Sequence, residues 1–195
     1  TGYGGDKAIF GYGFTGSKVS MTNLVSNNGV VAADVTGVGT ARQRLAAASY
    51  GGDKGLFGYG ENSGKISATN LVSNSGVVAT DTTGVGTARA RLEAASYGGD
   101  KAIFAYGFTG SNVSMSNLVS NTGVVSADVT GVGTNRYGLG AASYGGDKAI
   151  FGYGWTGAYV SMTNLVSNSG VVAADVTGVG TARRYSAAAG YSLSA

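Results

Sequence analysis

The tetrapeptide Gly-Gly-Asp-Lys recurs four times, placing Asp6, Asp53, Asp100 and Asp147 always 47 residues apart. Cut at that period, the chain divides into units 4–50, 51–97, 98–144 and 145–191, and 26 of the 47 columns are identical in all four. A period of this length is the mark of an architecture in which each unit buries its apolar face only against its neighbours. Residues 1–195 therefore read as one domain. No unit has a private active site.

Each unit carries four strand-like segments, taken here from the first copies: Leu45–Tyr50, Lys7–Tyr12, Val19–Val25 and Val30–Val35. Turn residues separate them, at Gly51-Gly52-Asp53, Thr15-Gly16-Ser17, Asn27-Asn28-Gly29 and Thr36-Gly37-Val38-Gly39-Thr40. Four short antiparallel strands per 40–50 residues is the pattern of a propeller blade. The expected fold is all-β, a four-bladed β-propeller of four-stranded antiparallel blades. Its ring is closed by the C-terminal first strand (Tyr185–Tyr191, within 183–192) pairing with Lys7–Tyr12, which leaves no open edge. Two chains exchanging these terminal strands give a larger, eight-bladed ring, so monomer and strand-exchanged dimer both follow. The competing reading places a helix over Thr40–Ala48, where an N-cap residue precedes good helix formers, and yields a βββα solenoid.

Composition removes much chemistry. The sequence has no histidine, the commonest general base and metal ligand, and no cysteine, so thiolate ligands, disulfides and a cysteine nucleophile are absent. Eight of the ten acids are repeat-equivalent, which argues against the two differently tuned carboxylates of a glycosidase. The Gly-x-Gly pairs follow the repeat rather than a phosphate-binding turn. The expectation is a non-enzyme with no cofactor and no metal. No apolar run reaches the roughly 20 residues of a membrane span, and no basic region followed by an apolar stretch marks a secretory signal. The first residue is Thr1 rather than Met, which reads as a processed product or an excised piece.

Most of the variation between units falls on one face. In a zigzag blade, the loop between the second and third strands lies on one face with the loop leading into the next first strand. There the copies differ: Phe14 to Lys18, Glu61 to Lys65, Phe108 to Asn112 and Trp155 to Tyr159, then Gln43-Arg44, Ala90-Arg91, Tyr137-Gly138 and Arg184-Tyr185. Loops on a rigid scaffold commonly hold binding function. Candidate ligand-binding residues are therefore Phe14, Lys18, Arg44, Glu61, Lys65, Arg91, Phe108, Asn112, Tyr137, Trp155, Tyr159, Arg184 and Tyr185. The charges sort likewise. Repeat-equivalent Asp and Lys/Arg columns cancel eight against eight, so the net +3 comes from Lys18, Arg44, Lys65, Arg91 and Arg184 against Glu61 and Glu93. Five cations spread over a rim are too few for a nucleic-acid surface. The constant Asp34 and Arg42 columns are expected to brace each blade by charge-assisted hydrogen bonds. Asn23 and Asn27 are expected to satisfy buried backbone.

The run Arg-x-x-Leu-x-Ala-Ala-Ser-Tyr-Gly-Gly-Asp-Lys-Ala-Ile-Phe-Gly-Tyr-Gly resembles the kelch repeat, which likewise passes from an Arg through a small-residue strand and a turn to an aliphatic-aromatic strand and glycines. Here the glycines are split as Gly11-Tyr12-Gly13, and Gly-Val-Val-Ala-Ala-Asp stands where kelch blades carry a later Trp. The repeat is similar to kelch-like arrays of tailed phages and bacteria. That resemblance implies a virion-associated or extracellular setting, and either a glycan- or cell-surface-binding module or a structural module of a phage tail or surface fibre. The partner is then an unidentified glycan or protein.

Overall fold

A computed structural model describes residues 1–190. It contains twelve β-strands and, among the described residues, no helix. The first repeat gives β1 (Gly2–Tyr3), β2 (Lys7–Phe14) and β3 (Lys18–Val25), and the second gives β4 (Ala46–Tyr50), β5 (Lys54–Gly58) and β6 (Thr69–Val72). The third gives β7 (Glu93–Tyr97), β8 (Lys101–Phe108) and β9 (Asn112–Val119), and the fourth β10 (Gly140–Tyr144), β11 (Lys148–Trp155) and β12 (Tyr159–Val166). Each repeat forms one three-stranded antiparallel sheet in sequence order. The helix over Thr40–Ala48 does not form. Its small residues go into β4, where alternate side chains, Ala46, Ala48 and Tyr50, are buried.

Sheets carry three strands rather than the four expected. The segment corresponding to Val30–Val35 runs beside β3 but touches it only at isolated bridges, Val25 with Val31 and Thr22 with Val35. A side chain interrupts the ladder between them. The amide of Asn23 donates to the carbonyl of Ala32 (3.1 Å) and to Asp34 (2.8 Å), taking up an acceptor that a regular fourth strand would give to a backbone N–H.

The sheets stack face to face in chain order. Ile9 and Tyr12 of the first meet Phe57 and Val72 of the second. Leu56 and Tyr59 meet Phe104 and Val119, and Ile103 and Tyr106 meet Phe151 and Val166. Each Phe presses its ring against the preceding sheet's Tyr, with centroids 5.3, 5.0 and 5.7 Å apart. These tyrosines are the extra residues of β-bulges, where the pairing register shifts between Gly11 and Gly13, and between Ala105 and Gly107, in β2 and β8. Tyr12, Tyr59, Tyr106 and Tyr153 all take left-handed backbone, φ 62–64°. The bulge aims each ring along the stack.

The stack is open among the described residues, which corrects the expected closed ring. Phe10 is 63% exposed on the outer face of the first sheet, whereas Phe57, Phe104 and Phe151 in the same column are buried. The segment 183–190 does not complete the first sheet. It continues the stack onto the fourth, with Tyr185 N–H donating to the Gly138 carbonyl (2.7 Å) just as Gly138 donates to Arg91 one junction earlier (3.1 Å). Residues 191 and 192 of the proposed closing strand lie outside the described residues.

Candidate functional site along the hairpin rim

The β2–β3, β8–β9 and β11–β12 hairpins, with the turn between β5 and β6, all point to one side of the stack. There the tips of the second, third and fourth repeats are each bridged to the strand-entry residue of the preceding repeat: Glu61 to Gln43, Phe108 to Ala90, Trp155 to Tyr137. One residue further on, Arg44, Arg91, Gly138 and Tyr185 all lie in left-handed backbone, φ 56–65°. Their amides link successive repeats, Arg91 to Arg44, Gly138 to Arg91 and Tyr185 to Gly138, at 2.9, 3.1 and 2.7 Å. Left-handed backbone costs a non-glycine residue roughly 1–2 kcal/mol. Here a hydrogen bond per junction offsets it. The ladder fixes a row of variable side chains at the repeat spacing.

The structure brings most of the predicted rim residues into one strip. Lys65 lies over the Phe108 ring at 5.1 Å, and Arg91 reaches both Phe108 (5.6 Å) and Tyr137 (5.0 Å). The rings of Phe108 and Tyr137 meet edge to face, centroids 5.6 Å apart, and Tyr137 meets Tyr185 at 6.4 Å. Arg184 donates to the Tyr137 hydroxyl (3.1 Å) and sits over Trp155, Tyr159 and Tyr185 at 4.9, 5.7 and 5.2 Å. Trp155 and Tyr159 pack edge to face at 4.8 Å, and Asn112 donates to the Trp155 carbonyl at 3.2 Å. Cation–aromatic contacts of this kind contribute roughly 0.5–1 kcal/mol each when exposed. Repeated along the strip, they hold the rings on edge while Tyr159 and Tyr185 stay more than half exposed.

The first-repeat end of the rim differs. Arg44 pairs with Glu61, which also accepts from the Gln43 amide (3.1 Å). Lys18 donates to the Asn62 carbonyl (2.6 Å), and Phe14 stands apart, 60% exposed. Glu93 does not belong to the rim. It opens β7, in the stacked row of first strands, where burial pushes its carboxyl up to about 7. The sole rim carboxylate among the described residues is thus Glu61, already held by Arg44. No group of three metal-ligating residues occurs among the described residues.

The opposite side of the molecule is uniform. Asp6 accepts from Lys7 and Asn27, the same arrangement recurs at Asp53 and Asp100 with Asn74 and Asn121, and Gly4 N–H crosses to the Asp53 carbonyl of the next repeat at 2.6 Å. Two equivalent apolar clefts open between the second and third and between the third and fourth sheets, about 250 and 180 Å³. Leu71, Val85 and Val124 line one, and Leu118, Val132 and Val171 the other.

The Arg–Asp brace joins repeats to one another rather than strengthening each blade from within, as the sequence reading had it. Arg42 is fully buried, stacked 4.2 Å over Tyr12, and reaches Asn70 (2.6 Å) and Asp81 (3.5 Å) of the following repeat. Thr40 adds its N–H and hydroxyl to Asp81 at 2.9 and 2.6 Å. The Thr–Asp bonds and Arg–Asp pairs recur with Asp128 and Asp175, and the Arg–Asn bond recurs between Arg136 and Asn164 but not between Arg89 and Asn117. Burial raises the Asp81 carboxyl, but its bonds to Thr40 and Asn70 and the nearby Arg42 outweigh that and hold it below the usual range. Burial carries Tyr12, Tyr59 and Tyr106 up to about 12, so their hydroxyls remain donors to the Val38, Val85 and Val132 carbonyls. Among the described residues, no helix is long and apolar enough to cross a membrane.

No protein-family model matches the chain, and neither does any curated protein. What the rim does must be judged from its own geometry.

Proposed function

We propose that this protein is a non-enzymatic recognition module that binds a glycan or another cell-surface group through the aromatic and basic rim. One observation carries the reading: four columns in which the copies differ most in chemistry, those of Phe14, Lys18, Gln43 and Arg44, are brought together in the strip Lys65–Phe108–Arg91–Tyr137–Arg184–Trp155–Tyr159. Because the copies are unlike there, the strip is one extended site rather than four equal ones. Aromatic edges and faces with interleaved guanidinium donors suit the apolar faces and hydroxyls of sugars. On this reading the sheets are kelch-like blades whose outermost strand has become irregular, stacked in an open array, in a virion-associated or extracellular protein.

The test is a glycan array followed by calorimetry on the best ligand with Trp155→Ala and Tyr159→Ala. Each substitution is expected to weaken binding by about tenfold or more, a loss of roughly 1.4 kcal/mol, with the melting temperature little changed. Absence of any bound glycan at high protein concentration, or parental affinity in both variants, overturns the reading.

A second reading, a structural or assembly module of a phage tail or surface fibre, is favoured by the two uncovered end faces of the stack. Recovery of the chain as a stoichiometric component of a purified particle supports it.

A further inference from the structure

The three internal junctions share one set of contacts, lacking only the Arg–Asn bond at the middle one, and the two end faces each carry half of it. At a junction, the earlier repeat supplies the Thr and Arg that bind the later repeat's Asp and Asn, as Thr40 and Arg42 bind Asp81 and Asn70. The earlier repeat also supplies the Tyr, and the later one the Phe that packs on it, as with Tyr12 and Phe57.

On the outer face of the first sheet stand the later-repeat groups. Asp34 is exposed, and among the described residues Asn23 alone donates to it. Phe10 is uncovered, and the space over Gly29 is open where Gly76 meets Leu24 and Tyr3. On the outer face of the fourth sheet stand the earlier-repeat groups. Arg183 is exposed, lies 3.9 Å over Tyr153 and donates only to Thr181 among the described residues, while Val179 is 80% exposed.

The backbone carries the same complementarity. The segment 183–190 is placed on β10 as β7 is placed on β4, and among the described residues it has no hairpin partner. Strand β2 is paired with β1 at Lys7 and Ala8 and with Thr1 at Ile9, but not beyond, whereas β5 is paired as far as Gly58. By the register of Ala46 with Gly58 and Ala47 with Phe57, Ala187 and Ala188 match Gly11 and Phe10.

We infer that a second copy of this chain docks head to tail, the first sheet of one copy seated on the fourth sheet of the other, with Arg183 and Thr181 binding Asp34 and Asn23 and residues 187–188 extending the β2 edge. The contact is a continuation of the interface the chain already makes three times within itself. It is heterologous, so it yields a closed ring or an open filament according to the rotation between copies. It requires nothing of the rim, whose ligand is a separate question.

Sedimentation of the whole chain is expected to show concentration-dependent association. Asp34→Lys disables one face and Arg183→Glu the other, so each variant alone should associate on the order of a hundredfold more weakly. Mixed instead, Phe10→Glu and Arg183→Glu retain one intact pairing, Arg183 of the first with Asp34 of the second, and should form a 1:1 dimer that grows no further, because both faces left free carry an added glutamate. Circular dichroism and melting of each variant check folding, and Phe10→Glu provides an independent block of the first-sheet face. A wild-type chain that stays monomeric at every concentration overturns the inference, including the case in which its own ends close on each other. So does association that survives both charge reversals, or a mixture that fails to dimerise.

Discussion

Glu93 occupies the column that holds Ala46, Gly140 and Ala187 in the other copies, and it brings a carboxyl into the stacked first strands. With its proton held up to about 7 by burial, the folded chain stays protonated there while the unfolded chain ionises near the ordinary value of 4.5. Below about pH 4.5 both states are protonated and no penalty arises. Between about 4.5 and 7 stability falls by up to about 1.4 kcal/mol per pH unit. Glu93→Ala and Glu93→Gln are expected to melt close to the parent at pH 4 and about 4–8 °C above it at pH 8, which corresponds to about 2 kcal/mol. Calorimetric melts across this range check it, and parallel curves for parent and variants would contradict it. Sequence alone grouped Glu93 with the rim charges, because charge counting does not tell a solvated loop from a buried strand.

At the scale of the strand, two glycine columns behave differently, and the chain contains part of the test. Gly11, Gly58 and Gly152 share a column with Ala105. A Cβ at Gly58 meets the Phe104 ring at 2.5 Å, and where Ala105 supplies that carbon the next ring, Phe151, sits 5.7 Å from Tyr106 instead of the 5.0–5.3 Å seen elsewhere. The ring gives way, so Gly58→Ala is expected to cost about 1 kcal/mol or less, the low end for overpacking. Gly107 has φ 114°, and a Cβ there stands 2.9 Å from the Ala90 carbonyl, backbone that cannot step aside. Gly107→Ala is expected to cost about 2 kcal/mol or more. Chemical denaturation of the pair checks the ranking; equal losses would refute it. Three strands of each repeat are legible in the sequence because Gly-Gly-Asp-Lys and the hairpin glycines bracket them. The fourth is not, because the side chain of Asn23 takes the place of a ladder bond.

For the whole molecule, a stack whose sheets touch only their neighbours has stability that is close to a sum of units and junctions. Sheets two and three each bury both faces, while among the described residues the first and fourth leave one uncovered. Hydrogen exchange should therefore be slowest in β5 and β8, and fastest along β2 and over 183–190, with opening free energies graded from the ends inward. Measured at a concentration below any association, uniform protection across all four sheets would show instead that the ends are covered. Rising protection of β2 with concentration is the signature of head-to-tail docking.

The sequence by itself determined the period, the all-β class, the three hairpin strands and the side of the molecule on which variation collects. All of these follow from local chemistry repeated every 47 residues: turn glycines, alternating apolar residues and columns that differ. Only the tertiary structure decided that Arg42 serves the next repeat rather than its own, that Glu93 lies inside, and that the stack is open with complementary ends. A repeat written identically four times cannot say whether its constant Asp meets the Arg of its own unit or that of the unit before. That choice is made by the bulged tyrosine, which turns each sheet's apolar face and its guanidinium toward the following sheet.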